Sequence, residues 1–306
     1  MKKIILCFCI LQCIFSTIAA QTFIEERRFG GFGTEPGKLN QPQALSISQN
    51  KIIYLVDTGN NRIQLFDLNG KFIKTVGGFG FGNDQFDHPV DIWVKSIINI
   101  YVSDYNNQRL LRYDMNMNFI SSLVSNDGDS PEFQFYEVAS CAVSSQKDLF
   151  FLDHGDNKII KINRNGQKER SFGAYEAGDG ELNQPVQLDI INQQFLIVSD
   201  ISRMAILKFD FFGNFAGKMT GKVDITPTGI SVSNNGIVFA CDPANKKIYR
   251  SNPGTDELIP IMTTLQKPFT KPQDCALFEE NINNILTQKL YIIDDNEIII
   301  GKLVIQ

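Results

Sequence analysis

Histidine occurs twice and tryptophan once in 306 residues, and 29 Lys and Arg face 34 Asp and Glu, for a formal net charge of -5 and a pI near 5.2. A phosphate backbone calls for a basic surface, so nucleic acid is not expected as a partner. The chain shows no paired nucleophile and base, no glycine-rich phosphate loop and no Cys-x-x-Cys, and no Asn-x-Ser/Thr acceptor for N-glycosylation. Apolar residues at helical spacing are missing after the first twenty residues, except at the polar stretch Glu279 to Gln288. Beyond residue 20 no apolar run approaches the roughly 18 residues that a spanning helix needs, so no membrane span is expected.

Cysteine is also scarce where it would matter. Met1-Lys2-Lys3, an apolar run from Ile4 to Ile18 and then Ala19-Ala20 read as a signal peptide over residues 1–20. The mature chain, 21–306, is therefore expected to be secreted or to reside in the lumen of the secretory pathway. Cys7, Cys9 and Cys13 leave with that leader, and Cys141, Cys241 and Cys275 remain. This odd number forbids complete pairing. Cys241 with Cys275 is the pair that adjacent repeats would bring together, and buried thiols filling core positions are the alternative.

What the chain has in abundance is repetition. Aspartates at 57, 104, 153, 200, 242 and 294 close apolar runs such as IIYLVD, NIYVSD, LFFLD, FLIVSD, IVFACD and LYIID, at intervals of 42 to 52 residues. Each run follows a shorter strand that begins after a proline and precedes a polar turn that opens a third strand. Asn69-Gly70 and Asn165-Gly166 then mark hairpins to a fourth. Continuous apolar runs of this length suit strands buried on both faces, and periods near 40 to 50 with strand-like units indicate an all-β propeller. Six aspartate-centred units predict six four-stranded antiparallel blades.

The ends of the chain predict how the ring closes. Thr22 to Phe29 resembles the close of a repeat, because FIEERRFGGFGTEPGKLNQP aligns with FIKTVGGFGFGNDQFDHP at 72–89. A strand over 22–29 would complete the last blade, 272–306, and remove both open edges. Phenylalanines in the recurrent glycine-rich connectors, at 30–33 and 77–82, are expected to pack beneath the next blade.

At the turns the first repeat reads Asp57-Thr-Gly-Asn-Asn-Arg62 and the second Asp104-Tyr-Asn-Asn-Gln-Arg109; the third reads Asp153-His-Gly-Asp-Asn-Lys158. Pro-x-x-Ile-x-Val followed by Tyr-Val-x-Asp-x-x-Asn-x-Arg-Ile resembles the NHL-repeat family, and that resemblance implies a six-bladed β-propeller across the mature chain. Departures occur where Tyr136 stands for the third proline, Ala205 for the fourth arginine, and Asp294-Asp-Asn-Glu297 for the sixth turn. Asp57, Asp104, Asp153, Asp200, Asp242 and Asp294, with Arg62, Arg109 and Lys158, are read as structural. A carboxylate there accepts turn amides and a guanidinium reaches neighbouring groups.

Function is expected on the face formed by the loops between blades and by the turns after the aspartates, since these differ between repeats while the strands do not. Candidate rim residues are Gln41, Asn60, His88, Tyr105, Tyr136, His154, Gln184, Arg203 and Lys271. The leading expectation is a monomeric, non-enzymatic scaffold for a protein, peptide or glycan ligand, with no cofactor and no metal. The alternative implied by the resemblance is a metal-assisted lyase or hydrolase like the peptidyl-hydroxyglycine amidating lyases. Those propellers hold zinc with three histidines, whereas this chain offers His88 and His154.

Overall fold

The computed structural model describes residues 21–252 and 254–305; the leader reading over 1–20 lies outside them. The strands form six antiparallel blades. Blade 1 comprises Ala44–Ile47, Ile52–Asp57, Arg62–Asp67 and Phe72–Gly77; blade 2 comprises Pro89–Trp93, Ile100–Asp104, Arg109–Tyr113 and Phe119–Val124. Blade 3 runs Val138–Val143, Leu149–Asp153, Lys158–Ile162 and Lys168–Phe172, and blade 4 runs Pro185–Ile191, Phe195–Asp200, Ala205–Asp210 and Phe215–Gly221. Blade 5 contains Ile230–Val232, Val238–Asp242, Lys247–Ser251 and Glu257–Pro260. Its outer strand touches that of blade 4 in parallel at Thr220 and Glu257, joining the two sheets.

Blade 6 is assembled from both ends of the chain. Pro272–Ile282, Ile285–Asp294 and Glu297–Ile305 supply three strands, and Gln21–Gly30 is the fourth, antiparallel to Glu297–Ile305 from Gln21↔Ile305 to Gly30↔Glu297. Met262–Thr264 adds a short parallel edge beyond it. Phe23 is fully buried against Gly301, where an added Cβ would lie 2.4 Å from the ring, so only glycine lets this aromatic seat itself. The ring is sealed by apolar side chains as well as by strand pairing. Tyr291, Ile293 and Ile298 of blade 6 pack with Leu45, Leu55 and Phe66 of blade 1 in one cluster, as each other blade does with its neighbours.

The aspartates staple each blade to the connector that enters it. Asp57 Oδ1 accepts the Asn40 amide at 2.7 Å, Asp104 Oδ1 the Asp87 amide at 2.8 Å, and Asp294 Oδ1 the Thr270 and Lys271 amides at 2.8 and 2.6 Å. Arg109 Nε donates to Asp104 at 2.7 Å while its terminal nitrogens hold the Phe81, Gly82 and Gln85 carbonyls at 2.9 to 3.0 Å. Arg62 repeats this on Asp57 and on the Thr34, Glu35 and Lys38 carbonyls. Lys158 lies 3.9 Å from Asp153 and bonds Asp156 instead.

The sixth turn has no arginine of its own, and the N-terminal strand provides one. Arg28 reaches Asp294 at 3.6 Å, donates to the Lys267 carbonyl at 2.6 Å and pairs with Glu25, whose carboxylate accepts the Gln266 amide. In the fourth blade, where Ala205 fills the arginine position, Arg203 donates to the Asp179 carbonyl at 2.9 Å.

Several expectations need correction. Phe32 and Phe79 are 76% and 72% exposed, and Phe81 lies under the Arg109 guanidinium at 4.4 Å; the buried connector residues are Leu39, Phe86, Phe135 and Leu182. The bridges Phe32↔Leu39 and Phe79↔Phe86 pair the two apolar sites of each connector, yet only the later one faces the blade. Val138, not Tyr136, takes the proline's register, since Val138 pairs Asp153 as Pro89 pairs Asp104; Asp153 Oδ1 accepts the Tyr136 and Glu137 amides just upstream. The polar stretch 279–288 is a hairpin turning at Asn283–Asn284, both at positive φ, so it carries no helix. Cys141, Cys241 and Cys275 are all free and buried, with Cys241 and Cys275 in the same cluster between blades 5 and 6.

Arg28→Ala should lower the stability of the folded protein by about 1 to 3 kcal/mol, the cost of leaving buried acceptors without charged donors. Urea denaturation of the variant and wild type measures this, and an unchanged midpoint would show that the sixth blade does without its borrowed arginine.

Candidate functional site

The inner strands of all six blades line a central channel, so the residue two places after the proline, or after Val138 in blade 3, recurs around its circumference. These positions are Ala44, Asp91, Ser140, Gln187, Gly229 and Asp274. Small residues on blades 1, 3 and 5 alternate with long polar ones on blades 2, 4 and 6. The alternation is steric. A Cβ at Gly229 would lie 2.1 Å from Asp274 Oδ1, and Ser140 is short enough to donate its hydroxyl to Asp91 at 2.6 Å.

The polar side chains are held by one another and by the strand ends. Gln187 Nε2 donates to Asp91 at 3.3 Å while its Oε1 accepts the Ile230 amide, and Asp274 Oδ2 accepts the Leu45 amide at 2.8 Å. Asp274 Oδ1 is buried without a hydrogen-bond partner. Burial pushes the carboxyl of Asp274 well above the usual carboxylate range, with the nearby Asp91 charge acting in the same direction. Burial also pushes Asp91 up, although Ser140 and Gln187 oppose the shift.

Above this ring lies a cavity of about 300 Å³, lined by His88, Tyr105, His154, Val90, Ala139, Pro185 and Val186 together with Asp91, Gln187 and Asp274. Three of the nine rim candidates, His88, Tyr105 and His154, meet there. Tyr105 donates its hydroxyl to Glu137 at 2.6 Å and lies 3.0 Å from His154 Nδ1, which is 3.3 Å from the same carboxylate. Burial and the Glu137 contact raise the Tyr105 phenol, and the Tyr105 hydrogen bond lowers Glu137. His88 packs edge-on to Tyr105 with ring centres 6.0 Å apart. Its backbone is at positive φ, and its amide donates to the Asn61 side chain of the preceding blade at 2.7 Å.

The other candidates lie around this cavity without lining it. Gln41 matches His88 in φ and donates its amide to Asn296, while Gln184 and Lys271 donate theirs to Asp200 and Asp294. Asn60 donates to Asp57 and the Gly33 carbonyl, and Arg203 is bound to its connector. Tyr136 stands exposed and donates to Gln134. Sequence reading missed Asp91, Gln187, Asp274 and Glu137. The signal was present for Asp91 and Gln187, each a polar residue between apolar neighbours inside a strand, whereas Asp274 follows Gln273 and carries no such mark.

A second groove of about 1130 Å³ opens between blades 2, 3 and 4 at the other end of the strands, beside Trp93, Lys95, Arg112 and Asp189. Lys95 and Asp189 form an ion pair there. Among the described residues no group of three His, Cys, Asp or Glu converges to hold a metal ion, and no helix is long and apolar enough to cross a membrane.

Comparison with known proteins places this geometry in a class. A family model described as a 6-bladed beta-propeller matches residues 34–127. Over 57 residues the chain is 37% identical to Protein brain tumor of Drosophila melanogaster and to B-box type zinc finger protein ncl-1 of Caenorhabditis elegans. That match covers 19% of this chain but only 6% and 7% of those proteins. Among solved structures, a streptogramin B lyase superposes on 92% of this chain and 97% of its own with a TM-score of 0.61 at 13% identity. A catalytically inactive virginiamycin B lyase from Staphylococcus aureus with quinupristin does so on 92% and 99%, with a TM-score of 0.60 at 14% identity. The WD40 beta propeller domain of Doa1 covers 87% of this chain and 79% of its own, at 0.59 and 12%. Identities this low show the fold alone. The protein is a six-bladed β-propeller. Its resemblance to NHL-repeat proteins is carried by that 57-residue stretch.

The raised carboxyl of Asp274 gives a prediction whose sign is fixed. The folded protein holds this proton more tightly than the unfolded chain does, so the stability it contributes is present in acid and is lost as pH rises through the raised pKa. Asp274→Asn should therefore melt above wild type at about pH 8 and lose that advantage near about pH 4. Melting below wild type at the higher pH would mean that the ionised acid is stabilised in the channel.

Proposed function

We propose that this protein is a secreted, non-enzymatic scaffold that binds a protein, peptide or glycan partner on the loop face, with one group of that partner entering the channel mouth. The observation that carries the reading is the mouth cavity itself. It unites aromatic and imidazole side chains from blades 2 and 3 with buried carboxylates that burial disfavours, on the face where the repeats differ. The leader over 1–20 supports export, and the net charge of -5 supports a partner other than nucleic acid.

A second reading, a metal-assisted lyase or hydrolase, draws on His88 and His154 lining the same cavity. The donor set does not fit it: a catalytic zinc takes three protein ligands, and no third ligand converges with these two among the described residues.

Metal analysis and binding assays separate the two. The scaffold reading expects purified protein without stoichiometric zinc, and it expects Tyr105→Ala and His154→Ala to weaken capture of an exported-protein or glycan panel while Lys147→Ala and Arg164→Ala, at the other end of the strands, leave it intact. Tightly bound zinc lost on His88→Ala and His154→Ala would overturn that reading in favour of the enzyme.

A further inference from the structure

The groove at the other end of the strands carries charge of one sign in a chain whose net charge is negative. Of the charged side chains that line it, Lys95 and Asp189 neutralise each other, which leaves Arg112 on blade 2 with Lys147 and Arg164 on blade 3. Arg112 departs from the repeat. The residue paired with the position three places before each turn aspartate is Leu65, Arg112, Lys161, Lys208, Arg250 and Ile300 in turn. Where a lysine stands there, an acid meets it: Lys161 lies 2.7 Å from Glu169 and 3.2 Å from Asp148, and Lys208 donates to Asp256 at 2.6 Å. Arg250 has no acid, but it is 5% exposed and lies outside the groove. Arg112 is half-buried and borders the groove; its Nε donates to the neutral Asn99 side chain at 3.0 Å, and its two terminal nitrogens have no partner among the described residues. The guanidinium fork therefore stands open beside an apolar wall of Tyr101, its cross-strand partner, and the paired Leu110 and Leu123.

We propose that this groove is a second binding site, separate from the mouth, and that it takes an acidic peptide segment of another protein. A glutamate or aspartate carboxylate of the segment accepts from both terminal nitrogens of Arg112, the bidentate geometry that a planar fork favours, within the field of Lys147 and Arg164. An apolar side chain beside that acid lies between Tyr101 and Leu123 on one wall and Val143 and Leu149 on the other. Ile97 and Ile98, 68% and 58% exposed, continue this apolar surface at the lip. The groove runs from the outer strand of blade 2, at Ser121, to the inner strands of blades 4 and 5, at Asp189 and Val232. Its volume of about 1130 Å³ exceeds the roughly 300 to 1,000 Å³ of small-molecule pockets, so a segment of chain suits it better than a metabolite. Nucleic acid is a poorer fit, because three free cations on a chain of net charge -5 do not offset the repulsion along a run of phosphates.

Trp93, the single tryptophan of the chain, lines the groove, so its fluorescence reports on this site. Titration of the full protein with acetyl-Phe-Glu-Leu-Glu-amide should change that emission saturably, with a Kd at least about tenfold below that of acetyl-Phe-Gln-Leu-Gln-amide. Arg112→Gln should remove this preference, whereas Lys71→Gln, an equal change of charge at an exposed position on blade 1, should preserve it. Arg164→Gln, also at an exposed position, carries the test if Arg112→Gln unfolds: it should weaken the acidic peptide by about threefold and leave the glutamine peptide unchanged. Equal affinity for the two peptides, no binding of either, binding without a change at Trp93, or a preference retained in Arg112→Gln overturns the proposal. An oligothymidylate that binds through Arg112 more tightly than the acidic peptide overturns the peptide assignment. The scaffold reading at the mouth is judged separately, by whether the Tyr105 and His154 variants lose their partner.

Discussion

Every feature of this molecule depends on the antiparallel pairing of Gln21–Gly30 with Glu297–Ile305. Without it the last blade ends in a strand of unpaired backbone groups and the six sheets form an open arc. With it, blade 6 meets blade 1 through Tyr291, Ile293, Leu55 and Phe66, and the inner strands converge on one axis. The pairing also repairs a local defect, because Arg28 brings to Asp294 the guanidinium that the sixth turn lacks. One segment therefore supplies the fourth strand, a core aromatic in Phe23 and the missing clamp.

Closure then determines what the channel can hold. Six equivalent positions on a narrow circumference leave room for about half of them to carry long side chains, and the chain alternates Ala44, Ser140 and Gly229 with Asp91, Gln187 and Asp274. A repeat protein tolerates wear at its turns because each blade is supported by its neighbours. The same support lets it place two carboxylates where burial disfavours their charge, a local cost that the closed ring absorbs.

The architecture was legible in the sequence because its determinants recur. Six aspartates, the prolines that open most blades and the Asn-Gly turns fixed the blade count, and the likeness of 22–29 to other strand ends predicted closure. What did not recur was harder to read. Asp91, Gln187 and Asp274 are ordinary polar residues in separate repeats, and only the closed ring makes them neighbours. Tyr136 looks like the occupant of the proline's register because the third repeat has no proline to mark it, and pairing puts Val138 there. Phe32 and Phe79 look like core residues by composition, yet the connector's second apolar site, Leu39 or Phe86, takes the buried place. Arg28 was invisible as a clamp because its partner Asp294 lies at the other end of the chain.

The most direct test of this account is the equilibrium unfolding of a protein that begins at Gly30, compared with one that begins at Gln21. Burying a side chain such as Phe23 is worth roughly 1.5 to 3 kcal/mol, and a domain is stable by only about 5 to 15. Loss of this ring together with the fourth strand and Arg28 should therefore move the denaturation midpoint far down or yield aggregate. A soluble monomer with an unchanged unfolding transition would contradict closure by the N-terminal strand, and with it the convergence that builds the channel site.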